Sequence, residues 1–263
     1  MRVGFYQCDP QFGEVAANLD VVAARLDQAD ADLLVLPELF ASGYQFVSRE
    51  EVQRLAEPVP DGPTVCRLVD IAKRRKMHLV AGLPERSGSI CYNSAVVVGP
   101  SGFLGCYRKT HLFYEETQFF TPGDSGFLVW DIGVAKIGVM ICFDWYYPEA
   151  ARTLAIQGAE IICHPSNLVL PNCPDSMPVR CLENRVFAVT CNRIGREARG
   201  GKDSLTYIGQ SEIVTPKGVI IQRASRDKEE LTIIEIDPAE ARNKSHNRYN
   251  DPLRDRRASL YKL

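Results

Sequence analysis

The sequence lacks the features that define several large classes of protein. No apolar run reaches the roughly 20 residues that a membrane-spanning helix needs. The N-terminus has no apolar stretch followed by a small-residue cleavage site, so we expect a cytoplasmic protein without a membrane partner. The formal net charge of −2 over 263 residues provides no basic surface for nucleic acid.

Cysteine pairs of the CxxC type are also absent, although the chain has nine cysteines. Their absence excludes a zinc ribbon and a thioredoxin-type redox site. The count is odd, and several cysteines lie inside apolar, strand-like runs. Most of them are therefore interpreted as small buried hydrophobic residues, and one remains available for chemistry.

What the chain does have is an ordinary globular composition, with 45% hydrophobic and 24% charged residues. Its length is at the upper end of the range for one domain, so we predict a single domain over residues 1–263. The tail, residues 243–263, is charged and poor in apolar residues. It is predicted either to be disordered or to dock on a partner subunit.

Strand-like and helix-like segments alternate along the first half of the chain. Residues 2–8 and 33–36 have the pattern of strands, whereas 15–30 and 64–76 carry an apolar stripe at helical spacing. Alternation of this kind predicts an α/β protein in which helices pack on sheets.

Two hairpins are predicted, over residues 93–108 and 211–221, each with a Gly- and Pro-containing turn. They indicate two similar halves, each with its own sheet. Between them a strand is predicted over 135–141, followed by a helix that begins at Pro148 and another near 175–188.

The end of the strand at 33–36 leads into Leu-Pro-Glu-Leu-Phe (36–40). A carboxylate between a buried strand and an apolar turn is desolvated, which raises its pKa toward that of a useful base. Alone, Glu38 is also explained as a surface-loop glutamate, but its apolar neighbours argue against that.

The end of the first hairpin carries Tyr-Arg-Lys-Thr-His-Leu (107–112). Lys109, held near a negative charge, would keep its proton and donate hydrogen bonds to a developing oxyanion. The alternative is a solvated lysine at a strand end. We interpret His111 as structural.

Cys142 ends a third strand, directly before the helix that begins at Pro148. Such a turn is similar to a nucleophile elbow. We expect the thiol to be exposed at the sheet edge. We also expect the helix N-terminus to favour the thiolate. An inert packing cysteine is the alternative. A nucleophilic thiol needs a base and an oxyanion donor, and Glu38 and Lys109 supply these roles.

The chain resembles the nitrilase superfamily of carbon–nitrogen hydrolases in the order and spacing of three segments. They are Leu-Pro-Glu-Leu-Phe (36–40), Tyr-Arg-Lys-Thr-His-Leu (107–112) and Ile-Cys-Phe-Asp-Trp (141–145). The resemblance covers nearly the whole chain and is closest to short archaeal-type nitrilases and bacterial aliphatic amidases. It implies a four-layer α-β-β-α sandwich of two mixed sheets flanked by helices. It also implies no metal or organic cofactor, and a homodimer or larger homo-oligomer that pairs through the helix from Pro148 and the C-terminal tails.

The resemblance further implies that Glu38, Lys109 and Cys142 are the catalytic set, with a second glutamate that positions the lysine and the substrate. Glu116 fits that place, and Glu115 competes with it.

Four further residues are candidates for substrate binding. The backbone N–H of Phe143 would join the lysine in stabilising the oxyanion. Asn167 would orient a substrate carbonyl, or cap a loop. Tyr44 and Trp145 would form apolar walls, or belong to the core. Asp144 is expected to hold the turn after the nucleophile.

The substrate class stays open among a small amide, a small aliphatic nitrile and a carbamoyl compound. The Phe-Asp pair after the cysteine is typical of amidases, which ranks the amide first, although the short archaeal-type nitrilases share it. Two other classes are considered: a metal-dependent phosphoesterase, in which Glu38, Asp144 and Asn167 hold Mg²⁺, and a non-catalytic interaction protein.

Overall fold

The computed structural model describes residues 1–261. In the first part of the chain, strands alternate with amphipathic helices as the sequence predicts. These elements are β1 (Arg2–Gln7), α1 (Val15–Leu26), β2 (Leu33–Val35), α2 (Arg49–Leu55), α3 (Pro63–Arg75), β3 (His78–Ser87), β4 (Ile90–Gly99) and β5 (Gly102–Arg108).

The second part of the chain repeats this alternation and adds short connecting elements. They are α4 (Glu116–Phe119), β6 (Val129–Asp131), β7 (Lys136–Val139), a 3-10 helix (Cys142–Tyr146), α5 (Pro148–Ile156), β8 (Ile161–Pro165), α6 (Asn172–Asn184), β9 (Phe187–Cys191), β10 (Arg196–Glu197), β11 (Leu205–Thr206), β12 (Glu212–Val214), β13 (Ile220–Arg223), β14 (Glu230–Glu235), α7 (Ala239–Arg242) and a 3-10 turn (Ala258–Leu260).

Two differences from the sequence prediction have local causes. The helix predicted near 175–188 ends at Asn184, because Arg185 adopts a left-handed backbone conformation that stops it. Helix α2 was not predicted, although its start is readable. Ser48 accepts a hydrogen bond from the backbone N–H of Glu51, which is the N-cap pattern of a serine followed by a glutamate three residues later.

The strands form two mixed sheets of six strands each, together with a two-stranded ribbon of β10 and β11. The order is β14-β1-β2-β3-β4-β5 in one large sheet and β13-β12-β9-β8-β7-β6 in the other. In each, three central strands run parallel and the outer pairings are antiparallel. The two predicted hairpins lie in different sheets, and each half of the chain supplies most of one sheet. The exception is β14, from the C-terminal half, which pairs with β1 in the first sheet.

Side-chain alternation along the strands creates the layers. In β2, Leu33 and Val35 face the second sheet, whereas Leu34 faces α1 and α3. On the far side, Leu154 of α5 lies over Gly138, where an added Cβ would meet its Cδ2 at 2.9 Å. The result is the predicted α-β-β-α sandwich, with an apolar core between the sheets and another under the first pair of helices.

The tail from residue 243 is mostly exposed but contacts the body of its own chain at two places. The Lys244 ammonium donates hydrogen bonds to the carbonyls of Ala159 and Arg185, and Leu253 packs on the main core. The two last residues, 262 and 263, lie outside the described residues. Docking of the tail on a second subunit stays a prediction.

The helices give no sign of a membrane span. Among residues 1–261, none combines the length and the apolar composition that crossing a bilayer requires.

Candidate active site

Glu38 is held rigidly just beyond the end of β2. Backbone hydrogen bonds tie the loop to β3 on both sides of it, from Leu36 N–H to Val80 O (2.8 Å) and from Phe40 N–H to Gly82 O (3.1 Å). Gly82 is required here, because an added Cβ would lie 2.5 Å from the Cα of Glu38. The carboxylate is fully buried, so the surface-loop interpretation of Glu38 is wrong.

Lys109 joins two buried carboxylates. Its Nζ donates to Oε1 of Glu38 and to Oε1 of Glu116, both at 2.7 Å. Its ammonium is fully buried, so it is not a solvated strand-end lysine. Burial opposes its charge, but the charges of the two glutamates outweigh burial and raise the pKa of Lys109 above its ordinary value. The lysine is therefore a fixed cation.

Glu116, and not Glu115, is the glutamate next to Lys109. Glu115 points away and pairs with Lys202 at 2.7 Å. The hydroxyl of Tyr44 donates to Oε1 of Glu116 at 2.6 Å. Tyr44 thus contacts the second glutamate instead of forming an apolar wall.

Asn93 completes this cluster and was not among the residues predicted from the sequence. Its Nδ2 donates to Glu38 Oε1 at 2.7 Å and lies 3.4 Å from Glu116 Oε2. It lies on β4, opposite Pro84 of β3. A polar amide at the start of a buried apolar strand was the available signal, since buried amides are nearly always bonded to something specific.

The remaining oxygen of Glu38 has no partner among residues 1–261, although it is buried. Burial raises the pKa of Glu38 to about 7, helped by the charge of Glu116 and opposed by that of Lys109. This carboxylate combines a free acceptor with a basicity suited to proton transfer near neutral pH.

Cys142 begins the 3-10 helix after β7, with a backbone φ of 41°. A left-handed backbone angle at a non-glycine residue is strained and is typical of functional turns. The side chain is only 4% exposed, so the expectation of an exposed thiol is wrong. Burial, and then the negative charge of Glu38, raise the pKa of the Cys142 thiol well above its ordinary value. Both effects oppose the helix N-terminus, which was expected to favour the thiolate, so the thiol needs a base, the role predicted for Glu38.

Asp144 holds the turn that presents Cys142, as the sequence predicts. Its Oδ2 accepts hydrogen bonds from the Ile141 N–H (2.9 Å) and the Tyr107 hydroxyl (2.7 Å). Its Oδ1 accepts from the His111 N–H (3.1 Å) and lies 2.8 Å from His111 Nδ1. His111 is structural in this arrangement.

His164 fixes the same turn from the second sheet. Its Nε2 lies 2.9 Å from the carbonyl oxygen of Cys142, and since a carbonyl only accepts, Nε2 carries the hydrogen. Burial lowers the pKa of His164 to about 4, so the ring is neutral at pH 7. It orients the backbone of the cysteine and carries no charge.

A cleft of about 440 Å³, including its open mouth, leads to Cys142. Of the four residues predicted to bind substrate, Phe143, Trp145 and Asn167 line it and Tyr44 does not. Substrate binding by these residues stays a prediction. Asn167 is buried, and both polar atoms of its amide have no partner among residues 1–261. An unsatisfied amide beside a thiol is a ready hydrogen-bonding site for a polar ligand.

The magnesium interpretation has little support in these contacts. Glu38 is bonded to the ammonium of Lys109, a cation that would repel Mg²⁺. Both oxygens of Asp144 are engaged by protein donors.

The chain is similar to known proteins in sequence and in fold. The sequence model of the carbon-nitrogen hydrolase family matches residues 2–244. The chain belongs to this family. This carbon–nitrogen hydrolase is 48% identical over 264 residues to a nitrilase of Pyrococcus abyssi, with 99% of each chain covered. It is 32% identical to an N-carbamoylputrescine amidase of Solanum lycopersicum, covering 98% of this chain and 92% of the other.

The fold of this carbon–nitrogen hydrolase is matched by solved amidases of the nitrilase superfamily. One is a variant of the amidase from Nesterenkonia sp. AN1 in which acrylamide has added to the active-site cysteine. It superposes with a TM-score of 0.81 at 28% identity, over 99% of this chain and 98% of the other. The protein is therefore a hydrolase of the nitrilase and amidase type.

Proposed function

We propose that this hydrolase cleaves small amides through a thioester on Cys142, with Glu38 as the base. The observation that carries the proposal is the free, buried oxygen of Glu38. The pKa of this carboxyl group is raised to about 7, and its charge helps to raise the pKa of the Cys142 thiol. Such a pair can transfer a proton at neutral pH without a histidine.

The first half of the reaction forms the thioester. Glu38 takes the proton of the Cys142 thiol, and the sulfur attacks the amide carbonyl carbon. Negative charge develops on the carbonyl oxygen. The Lys109 ammonium and the backbone N–H of Phe143, at the start of a helix where N–H groups lack intrahelical partners, stabilise it. The protonated Glu38 then gives its proton to the departing ammonia.

The second half hydrolyses the thioester. Glu38, again ionised, removes a proton from water, whose oxygen attacks the thioester carbon. The carbon–sulfur bond breaks, the acid leaves, and the sulfur regains a proton from Glu38. Glu116 holds Lys109 in place throughout, and Asn167 binds the amide group of the substrate.

The pH dependence tests the assigned base. Because Glu38 acts as the carboxylate and its pKa is about 7, kcat/KM should rise with pH and level off above that value. One unit below the pKa only about a tenth of the carboxylate is ionised, so we expect a fall of about ten-fold at pH 6. Steady-state rates in a constant-ionic-strength buffer series measure this. A rate that first rises near the pKa of a cysteine thiol would instead mean that Cys142 ionises unaided.

The substrate class is tested with matched pairs of amides and nitriles that share one carbon skeleton, with ammonia release as the readout. We expect each amide to exceed its nitrile in kcat/KM by at least about ten-fold. A panel in which the nitriles match or exceed the amides would make the protein a nitrilase with the same nucleophile.

Nitrile hydrolysis is the second candidate because the Pyrococcus abyssi relative, at 48% identity, is a nitrilase. The same residues serve it: Cys142 would attack the nitrile carbon, and Lys109 would stabilise charge on the nitrogen. A cytoplasmic location and a homodimer stay predictions.

A further inference from the structure

The cleft beside Cys142 changes in character from its floor to its rim. The floor is polar and buried, with the thiol and the unpartnered amide of Asn167. The walls are apolar, formed by Phe113, Phe143 and Trp145. The rim includes Leu170, which is 53% exposed.

Charge is missing from this cleft. Among the residues of the described chain that line it, none is Asp, Glu, Lys or Arg, and apart from Cys142 the polar members are Tyr146, Asn167 and Asn172. The buried carboxylates of Glu38 and Glu116 both bond to the Lys109 ammonium, and none of these three residues lines the cleft. A charged group on the outer part of a substrate would therefore lose water without gaining an ionic partner.

The exposed side chains at the mouth of the cleft also favour an uncharged, apolar ligand. Tyr146 is 59% exposed and stacks on Phe143, with ring centroids 5.5 Å apart. An aromatic pair beside a partly exposed leucine offers a flat apolar surface to the part of a ligand that lies at the rim.

We infer that the substrates of this enzyme carry an uncharged, apolar acyl group. This inference rests on the proposed function, since it takes the amide end of the substrate to lie at Cys142 and Asn167. The acyl group then extends along the walls toward Leu170.

Three amides of similar length test the inference, with acetamide as the reference. Pentanamide ends in a methyl group, 4-aminobutanamide replaces that methyl with an ammonium, and succinamate ends in a carboxylate. We expect kcat/KM for pentanamide to exceed that of either charged amide by at least about ten-fold. Equal or higher rates with either charged amide would overturn the inference.

A negative charge at the rim should shift the preference of the enzyme from the apolar amide toward the positively charged one. Leu170→Asp would supply a carboxylate to the ammonium of 4-aminobutanamide, and Leu170→Asn is the matched neutral control of the same shape. Relative to the control, the Asp variant should raise the ratio of kcat/KM for 4-aminobutanamide to kcat/KM for pentanamide by at least about five-fold. The increase should be smaller at high salt, which screens the charges. Because Leu170 is largely exposed, neither variant should disturb folding. An unchanged ratio would mean that the acyl group does not pass Leu170.

The reference substrate separates this inference from the proposed function. Acetamide carries almost no acyl group. If it is hydrolysed while pentanamide has no advantage over the charged amides, the inference about the acyl group fails and amide hydrolysis stands. If no amide releases ammonia, the proposed function fails and the inference fails with it.

Discussion

Replacing Cys142 with alanine is expected to lower the rate of ammonia release by at least about 10⁴-fold, as the loss of a nucleophile does in other covalent enzymes. Only the sulfur is lost, and the turn is held by contacts that do not involve it: the Asp144 carboxylate bonds the Ile141 N–H, and His164 bonds the backbone carbonyl of residue 142. Thermal unfolding and circular dichroism should therefore match the wild type, which assigns the lost activity to chemistry.

Cys163→Ala is the matched control, because Cys163 is equally buried but lies inside β8. It should keep near-normal activity. Activity that survives in Cys142→Ala and disappears with EDTA would replace the cysteine mechanism with a metal-dependent one. Activity that survives in Cys142→Ala and is insensitive to EDTA would assign the role of nucleophile to another residue.

Replacing Lys109 with methionine is expected to reduce kcat/KM by at least about 10³-fold, at the upper end of what loss of one oxyanion donor costs. The effect has two parts. The developing negative charge loses its cation, and Glu38 and Glu116 are left facing each other without the ammonium that now bonds both at 2.7 Å. Two buried carboxylates without a counterion should also lower the free energy of unfolding by about 3–5 kcal/mol.

The double variant Lys109→Met with Glu116→Gln separates the two parts. It removes one of the facing carboxylates, so most of the lost stability should return, measured by urea unfolding. Activity should stay at the level of the single variant. Near-normal turnover in either variant would remove the lysine from the mechanism.

Glu38 and Lys109 each follow a strand, β2 and β5, and these strands run in the same direction, so their carboxyl ends lie at the same edge of the sheet. The two residues are 71 positions apart in sequence, yet their charged atoms lie 2.7 Å apart. The alternating strand and helix patterns predicted an α/β protein in which helices pack on sheets. The four-layer sandwich was implied by the resemblance to the nitrilase superfamily.

Asn93 was not predicted because its importance depends on strand register. Only the pairing of β3 with β4 places it opposite Pro84 and beside the carboxylate of Glu38. A one-residue slip would turn the same amide to the other face of the sheet. The sequence pattern of β4 indicates a buried strand but does not state its register.

The sequence predicts the need for a base at Cys142 but not the balance of effects that sets the pKa of its thiol. A helix N-terminus favours a thiolate, and the sequence displays the helix. Burial and a neighbouring carboxylate act in the opposite sense, and both arise from tertiary packing. The same packing raises the pKa of Glu38 to about 7, which supplies the base that a neutral thiol requires.

The most direct test of the mechanism is the mass of the enzyme during turnover. Wild-type protein mixed with a good amide substrate, quenched in acid and digested, should show a mass increase equal to the acyl group on the peptide that contains Cys142. The Cys142→Ala variant should show none. An acyl group on any other residue, or full turnover with no adduct on Cys142, would contradict the account.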